Sequence, residues 1–445
     1  MRSRMWALGA SVAIVVAACG TGSSTSTPSP GTQTTSPVTQ PSPSASATSE
    51  PVALTMLADV NDQITAETWE GLFAAFTAEH PNITVTLVPT PSGEREDRAK
   101  TLLASGSFPD VHFPLPTVTF KDELLPFDQA DPEIANQLQN VDKLLVDGEL
   151  YGLGIDSQPW NTIFYNKSMF EQAGITAEPK TLAEFETVLE KLKAAGFAPI
   201  LGAGEWVPHF TFMATTDIFA ETSCWLGLRE AGERSFSDPE WVEAAERFGS
   251  WVQKGYFNEG PLGLGYTQAN DFFLQGGAAM YPIGSWLTGL VDQQPPAFEV
   301  GYFAMPTRTG ELRLVGSIGS TGYTVSRTTE HPAEAVALAK WLAFNPGAVS
   351  TILNAFGFQA NVALESGPIA DLKQTPLGQE IAADIAAATS YTTAWNGQGD
   401  CAQRPGAQIQ IGTSVAEPLY LDPTQPVAPL LAELDAFWDD AVPTE

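Results

Sequence analysis

The sequence predicts an α/β protein with two domains. From Val52 onward, predicted strands alternate with predicted helices, and this alternation is typical of mostly parallel sheets covered by helices on both faces. About 390 residues follow Pro51, which is more than one hydrophobic core usually supports. Hydrophobic residues make up 43% of the chain and aromatic residues 10%, so there is enough apolar surface for two substantial cores.

The first 19 residues predict an export signal. A basic start at residues 1–4 precedes a short apolar run over 6–18, and small residues lead into Cys19. The apolar run is shorter than the roughly 18 residues that cross a bilayer, so we expect cleavage rather than a membrane helix. The pattern resembles the lipobox of bacterial lipoproteins, in which Cys19 becomes the acylated first residue of the mature chain. An ordinary secretory signal is the alternative.

Residues 20–51 predict a disordered tether. They are almost entirely Ser, Thr, Pro, Gly, Ala and Gln and contain no aromatic residue. Such a segment lacks the apolar surface that would offset the entropy lost on ordering. Fully extended at about 3.1 Å per residue, it would reach on the order of 100 Å from the membrane.

The chain is strongly acidic. It has 52 Asp and Glu residues against 21 Lys and Arg, which gives a net charge of −31. This balance argues against nucleic acid and anionic membrane surfaces as partners, because both would repel the protein. It is compatible with an uncharged or cationic ligand, although most of the acids are expected to form a solvated surface.

Two cysteines besides Cys19 fall in the folded part. Cys224 and Cys401 form an even pair in a chain with an export signal, which predicts a disulfide; two unpaired thiols are the alternative. Neither lies in a CxxC motif, so redox catalysis and a cysteine metal site are not expected.

The folded part opens with elements that hydrophobic periodicity predicts. Apolar runs predict strands over 52–58, 83–88 and 110–113, and helical spacing predicts helices over 65–80 and 94–104. Pro81 ends the first helix, because proline disfavours helical geometry in the residue before it. Ligands of parallel sheets bind at the carboxyl ends of strands, which directs attention to the loop after Ala58 and the region around Asp110.

Six sequence blocks occur in one order along the rest of the chain. They are Gly148–Gly154, Asn161–Lys167, Phe170–Gly174, Pro179–Phe185, Phe273–Trp286 and Trp341–Pro346. Together they resemble the family 1 extracellular solute-binding proteins of ABC importers, and the resemblance covers residues 52–442.

This resemblance implies a periplasmic-binding-protein-like fold, with two α/β lobes joined by a hinge and a ligand cleft between them. We place the first lobe at residues 52–160 and 322–367, and the second lobe at 161–321 and 368–445. The glycines of 316–322 predict a crossing between the lobes, because they permit the dihedral changes of a hinge. A glycine-rich turn beside the cleft is the alternative.

Sugar-binding members of the family use aromatic faces and a few carboxylates or amides, because a pyranose has an apolar C–H face and a rim of hydroxyls. The resemblance places Trp286 in the cleft at the end of a strand, with a core position as the alternative. Glu205 and Trp206 resemble a polar–aromatic pair that follows another strand. Trp160, near a lobe crossing, is a further candidate, with packing at the hinge as the alternative. Trp395 and Asn396, between two predicted helices, are candidates for the far wall of the cleft.

The first lobe offers a polar set of candidates. Asp59, Asn61 and Asp62 follow the first strand, and Asp110 lies at the start of a later strand, where a structural role is the alternative to ligand binding. His112 is expected to be a hydrogen-bonded buried histidine rather than a ligand. We predict core positions for five other tryptophans, which are Trp69, Trp241, Trp251, Trp341 and Trp438.

Motifs of catalysis are missing from the sequence. It contains no GxSxG, HExxH, CxxC or GxxxxGK, so we expect no metal and no cofactor. A glycoside hydrolase needs only two facing carboxylates and remains a minor alternative. A structural or adhesive surface protein would show repeats, and none is present.

The sequence therefore predicts a monomeric, non-enzymatic receptor, lipid-anchored at the outer face of a bacterial cell membrane. It would capture a neutral solute, most simply a mono- or oligosaccharide, and deliver it to the transmembrane subunits of an ABC permease. A receptor for a polyol or a polyamine is the alternative.

Overall fold

The computed structural model describes residues 50–61, 63–91, 94–204, 210–319, 322–362, 369, 372, 375–393 and 410–440, with only the backbone at 211 and 212. All the described residues belong to one compact unit, 49–445. The predicted signal, Cys19 and all but the end of the predicted tether lie outside the described residues.

The described strands are β1 (Val52–Asp59), β2 (Ile83–Thr90), β3 (Val111–Phe113), β4 (Leu153–Gly154), β5 (Asp156–Pro159), β6 (Thr162–Asn166), β7 (Met280–Pro282), β8 (Val300–Ala304), β9 (Arg313–Ile318), β10 (Gly322–Val325), β11 (Gln359–Ala360) and β12 (Ser390–Thr393).

The described helices are α1 (Ala66–Glu79), α2 (Arg95–Ala104), α3 (Thr117–Phe120), α4 (Phe127–Ala130), α5 (Lys167–Gln172), α6 (Leu182–Ala194), α7 (Thr216–Glu221), α8 (Trp225–Glu230), α9 (Pro239–Gln253), α10 (Tyr266–Leu274), α11 (Leu287–Gln293), α12 (Pro332–Phe344), α13 (Pro346–Phe356), α14 (Pro376–Ala387), α15 (Glu417–Leu421) and α16 (Val427–Asp440). None of these helices alone is long and apolar enough to cross a bilayer, and only the bent pair α12 and α13 meets that test when the two are taken together.

The first sheet has the strand order β2-β1-β3-β10-β4. Strand β1 runs parallel to β2 and β3, and β10 runs antiparallel to β3 and β4. The strands and helices predicted between residues 52 and 113 are confirmed, with ends that differ by no more than two residues. Successive side chains of β1 point to opposite faces of the sheet, and both faces are buried. Met56 packs with α1 and α12 on one face, and Leu57 packs on the side of α2 on the other.

Helix α1 shows why this local sequence folds as predicted. The hydroxyl of Thr65 accepts a hydrogen bond from the N–H of Thr68 and caps the start of the helix. The apolar residues at helical spacing form its buried face, and Trp69 is fully buried there. The helix ends before Pro81, as predicted.

The second sheet has the order β7-β6-β8, and all its strand pairs are antiparallel. Its helices pack around a core rich in aromatic residues, in which Trp225, Trp241, Trp251 and Trp438 are each at most 1% exposed. The core positions predicted for Trp69, Trp241, Trp251 and Trp438 are thus confirmed, whereas Trp341 is half-buried.

A crossing sheet joins the two, with the order β11-β5-β9-β12. The backbones of β5 and β9 approach so closely that a Cβ atom on Gly316 would lie 2.1 Å from the carbonyl oxygen of Gln158. Strand β9 belongs to this crossing sheet and β10 to the first sheet, which is compatible with the predicted crossing between the lobes at 316–322. The crossing itself stays a prediction. The exact lobe boundaries stay predictions.

Asp435 links α16, the last described helix, to residues 229–237 in the middle of the sequence. Its carboxylate accepts hydrogen bonds from the buried guanidinium of Arg229 and from groups in the turn before α9, which are the hydroxyls of Ser235 and Ser237 and the N–H groups of Phe236 and Ser237. Burial alone would raise the pKa of Asp435, but these hydrogen bonds outweigh it and hold the pKa below its ordinary value.

We expect Asp435→Ala to lower the free energy of unfolding by about 3 kcal/mol, because it removes the buried partner of Arg229 and leaves several donors unsatisfied. The matched control is Asp439→Ala. Asp439 contacts the same guanidinium at 2.7 Å, but its side chain is 66% exposed, so its removal should cost less than about 1 kcal/mol. Urea denaturation followed by tryptophan fluorescence measures both, and equal effects would contradict the assignment.

Candidate functional site

Asp59 lies where the sequence predicts a ligand contact, at the carboxyl end of β1. Its carboxylate is almost fully buried and accepts a hydrogen bond from the guanidinium of Arg95 at 2.5 Å. The indole N–H of Trp69 donates to the Asp59 carbonyl oxygen at 2.9 Å and fixes the backbone there. An arginine–carboxylate pair offers both donors and acceptors, which is the combination that hydroxyl groups match.

Arg95 is a candidate that sequence analysis missed. It is the first residue of α2, and its side chain remains 33% exposed despite the pair with Asp59. A signal for it did exist, because α2 follows β2 and β2 is the direct neighbour of β1. A residue at the start of this helix therefore lies beside the carboxyl end of β1.

Asn61 shapes the loop that follows β1. Its side-chain oxygen accepts hydrogen bonds from the N–H groups of Gln63 at 2.8 Å and Ile64 at 3.0 Å. This is a turn in which the asparagine side chain replaces a backbone partner. A direct contact between Asn61 and a ligand stays a prediction, and Asp62 lies outside the described residues.

Trp286 and Trp160 are brought together as a pair. Their rings meet edge to face, with centroids 6.1 Å apart and an angle of 87° between the planes. Trp160 directly follows β5 of the crossing sheet, and Trp286 lies between β7 of the second sheet and α11. The Trp286 ring folds over Gly284, where a Cβ atom would lie 1.8 Å from it. Two predicted aromatic residues from separate parts of the sequence thus form one apolar corner.

The polar loop and the aromatic corner are in direct contact. The side-chain amide of Gln63 donates a hydrogen bond to the carbonyl oxygen of Trp286 at 3.1 Å. Gln63 follows β1 of the first sheet, so this bond joins an element of the first sheet to an element of the second. The bond therefore links the loop that follows Asp59 to the corner formed by Trp160 and Trp286.

Trp286 itself is 8% exposed and belongs to a cluster of buried apolar residues. Trp160 is half-buried beside it. Packing and ligand contact are compatible for such a pair, because a ring can rest on the core along one face and line a cleft with another edge. The ligand role of both tryptophans stays a prediction.

Asp110 belongs to a different part of the sheet. Its carboxylate accepts hydrogen bonds from the N–H and hydroxyl of Thr55, both at 2.8 Å, and from the hydroxyl of Thr329 at 2.6 Å. It lies at the start of β3, beside the middle of β1 rather than its carboxyl end. This geometry favours the structural alternative for Asp110 over a ligand contact.

His112 is the buried histidine that the sequence predicts. It has no exposed surface, its Nδ1 lies 3.1 Å from the Thr324 hydroxyl, and Phe108 packs on its ring. Burial lowers the pKa of His112 to about 3, so the ring is neutral at physiological pH.

Several candidates cannot be placed. Those outside the described residues are Asp62, Glu205, Trp206, Trp395, Asn396 and Cys401. Cys224 is disulfide-bonded, while its pairing with Cys401 stays a prediction. Within the described part of the chain, no group of three or more His, Cys, Asp or Glu side chains is arranged to hold a metal ion.

A separate groove of about 870 Å³ runs along α12. It is lined by Val336, Lys340 and Trp341 on the helix and by residues of the segment 125–137, and an ion pair joins Lys340 to Asp131. None of the described candidate residues lines it. The groove is therefore separate from the region around Trp286 in which the described candidates were predicted.

Comparison with known proteins identifies relatives over more than half of the chain. The family model described as bacterial extracellular solute-binding protein matches residues 62–349. The multiple sugar-binding protein of Streptococcus mutans is 26% identical over 280 residues, which cover 60% of this chain and 66% of that protein. An uncharacterized ABC transporter extracellular-binding protein of Pyrococcus horikoshii is 28% identical over 242 residues, 53% of this chain and 52% of its own. The chain thus spans about half to two-thirds of the length of these relatives.

Solved structures show the same fold. A chitin oligosaccharide binding protein superimposes with a TM-score of 0.73 at 24% identity, covering 88% of this chain and 99% of its own. The solute-binding protein RafE in complex with raffinose gives a TM-score of 0.65 at 20% identity, covering 87% and 98%. The predicted fold, two α/β lobes joined by a hinge, is confirmed. Because the family model matches more than half of its residues, the chain belongs to the bacterial extracellular solute-binding protein family.

Proposed function

We propose that the protein is the substrate-binding receptor of an ABC importer and that it captures a neutral solute, most simply a mono- or oligosaccharide. The observation that carries this proposal is the hydrogen bond from Gln63 to Trp286. It links an aromatic corner, Trp160 with Trp286, to the loop that follows an arginine–carboxylate pair, Asp59 with Arg95. Two relatives support it by name, since one is called a multiple sugar-binding protein and another a chitin oligosaccharide binding protein.

The chemistry of the region fits a sugar. Indole rings cover the apolar C–H face of a pyranose, and the guanidinium and carboxylate serve its hydroxyls as donor and acceptor. The same pair weighs against the polyamine alternative. A guanidinium at the site repels ammonium groups, and the Asp59 carboxylate that could attract them is already bonded to Arg95. A polyol shares the hydroxyl chemistry and remains the closer alternative.

Binding would work by closure of two halves around the solute. One half is built on the first sheet and the other on the second, and the crossing sheet between them acts as the hinge. A solute that touches both halves favours the closed form, because only that form makes both sets of contacts. Transmembrane subunits of a permease would recognise the closed monomer, and ATP hydrolysis would belong to that partner.

No bond of the solute is broken in this proposal. Glycoside hydrolysis needs two carboxyl groups about 5 to 9.5 Å apart on either side of one bond. Among the described candidates, the carboxylate of Asp59 is paired with Arg95, and that of Asp110 is bonded to Thr55 and Thr329 away from the site. The family and its structural neighbours are solute-binding proteins.

The proposal includes an anchor outside the cytoplasm. We infer that the segment up to Cys19 is an export signal, that Cys19 carries the lipid, and that residues 20–51 tether the receptor to the outer face of the membrane. Two acyl chains provide stable anchoring, whereas one gives only marginal binding.

A thermal-shift screen tests the proposed ligand class. Raffinose, chitotriose, maltotriose, glucose, sorbitol and spermidine are added separately, and a ligand that binds only the folded state raises the melting temperature. We expect a shift with at least one sugar and none with spermidine. A shift with spermidine alone would replace the sugar proposal by the polyamine alternative. Chromatography of the recovered sugar should show it unaltered, and cleaved products would contradict the non-enzymatic role.

Trp286→Ala tests the aromatic corner. Loss of stacking and burial should weaken binding of the sugar found in the screen by about 1 to 3 kcal/mol, measured by isothermal titration calorimetry. Trp286→Phe should retain most of the affinity, because a ring remains. The matched control is Trp341→Ala on α12, a half-buried tryptophan in the separate groove, which should bind as the wild type does. Unchanged affinity in a folded Trp286→Ala protein would remove this residue from the site.

Cys19→Ala tests the anchor. Without the thiol that accepts the lipid, the receptor should leave the membrane fraction and remain competent to bind the same sugar. Cell fractionation with detection of the protein measures this, and full-length wild-type protein is the control. Retention of the variant in the membrane would place the anchor elsewhere in the chain.

A further inference from the structure

The start of α11 is held from the side of the first sheet at two places. The amide of Gln63 donates to the Trp286 carbonyl oxygen, immediately before the helix. Further along, the hydroxyl of Thr288 donates to the carbonyl oxygen of Gly357 at 3.0 Å, where α13 has just ended. Helix α13 packs against α12, which covers the first sheet. The chain that leads into Trp286, however, comes from β7 of the second sheet.

The contact between α11 and α13 is close in this structure. A Cβ atom on Gly289 would lie 2.5 Å from the carbonyl oxygen of Ala355, so the two backbones touch without a side chain between them. Gln293 adds a hydrogen bond to the same carbonyl at 3.0 Å. In this structure the body of α11 thus packs against α13, and the carbonyl oxygen of Trp286 at its start accepts the additional hydrogen bond from Gln63.

The loop that carries Gln63 is itself stabilised by hydrogen bonds. The N–H of Gln63 donates to the Asn61 side chain, and the N–H of Val60 donates to the Thr90 carbonyl oxygen at 2.9 Å. The bond to Trp286 therefore connects this hydrogen-bonded loop, at the carboxyl end of β1, to the backbone that carries the tryptophan ring. The loop also begins next to Asp59, the partner of Arg95.

We propose that Gln63 is a positioning residue of the solute site, which clamps the backbone of Trp286 to the first sheet and so links closure of the two halves to placement of the tryptophan ring. The clamp uses only atoms of this chain, so it needs no solute in order to form. This inference goes beyond the proposed function, because it concerns the equilibrium between open and closed forms. It rests on that function only for its effect on sugar affinity.

The size of the effect follows from one hydrogen bond. A net contribution near 1 kcal/mol to the closed form corresponds to a change of about fivefold in the equilibrium between open and closed forms. The apparent affinity for a sugar that binds the closed form should change by the same factor, since it scales with the population of the competent form.

Gln63→Met tests the clamp, because methionine keeps the length of the side chain and removes the donor. Gln63→Ala provides a second variant. The matched control is Gln139→Met, which makes the same replacement at an exposed glutamine of the first half. The first measurement is solution X-ray scattering of each full-length protein in detergent without added sugar. The second is calorimetric affinity for raffinose or chitotriose, whichever binds the wild type, and melting temperatures verify that the variants are folded.

We expect both Gln63 variants to have a larger radius of gyration than the wild type and Gln139→Met, and to bind the sugar about fivefold more weakly. Dimensions equal to those of the wild type would overturn the proposal. If affinity falls while the dimensions stay unchanged, Gln63 acts as a direct sugar contact and the clamp is refuted. If no sugar of the thermal-shift screen binds the wild type, the proposed ligand class fails, while the scattering comparison still decides the clamp.

Discussion

The architecture depends on one constraint, the close approach of backbones in the crossing sheet. Strands β5 and β9 come so near each other at Gly316 that any side chain there would collide with the carbonyl oxygen of Gln158. A similar contact joins Gly154 and Gly319, where a Cβ atom on the first would lie 2.3 Å from the second. Glycine is the residue that permits such contacts, and its freedom to adopt unusual dihedrals suits a segment that must bend. The placement of both sheets, and thus of the site between them, follows from this joint.

The joint also contains buried polar groups that are well satisfied. Asp156 in β5 has no exposed surface, and the side-chain amide of Gln158 donates to its carboxylate. Asn361 donates to the carbonyl oxygen of Gly154, and Asn140 donates to the Asn361 side chain. Directional bonds of this kind fix a register more strictly than apolar packing does. They give the region of Trp160 a defined position, because Trp160 directly follows β5.

The sequence predicted those strands and helices whose apolar residues recur at one regular spacing. The strand at 52–59 and the helix at 66–79 each bury a face that is visible in the sequence alone. Two-residue strands such as β4 and β11 exist only through pairing with distant partners, so no local pattern could reveal them. The same difference between local and distant partners explains which site residues were predicted and which were missed. Asp59 and Trp286 follow apolar strands and were predicted, whereas Arg95 and Gln63 gain their roles from bonds to residues 36 and 223 positions away. The role of Asp110, structural or ligand-binding, could not be decided from the sequence, because its hydrogen-bond partners Thr55 and Thr329 are distant in sequence.

The attachment of the last helix has a consequence for the order in which the molecule can form. Asp435 contacts Arg229 across 206 positions of sequence, and contacts that distant require the closure of a long loop. A chain is made from its amino terminus, so the guanidinium of Arg229 lacks this carboxylate until residue 435 has been added. The half that contains the second sheet can therefore reach its final stability only after α16 has been made, and it stays incompletely packed until then.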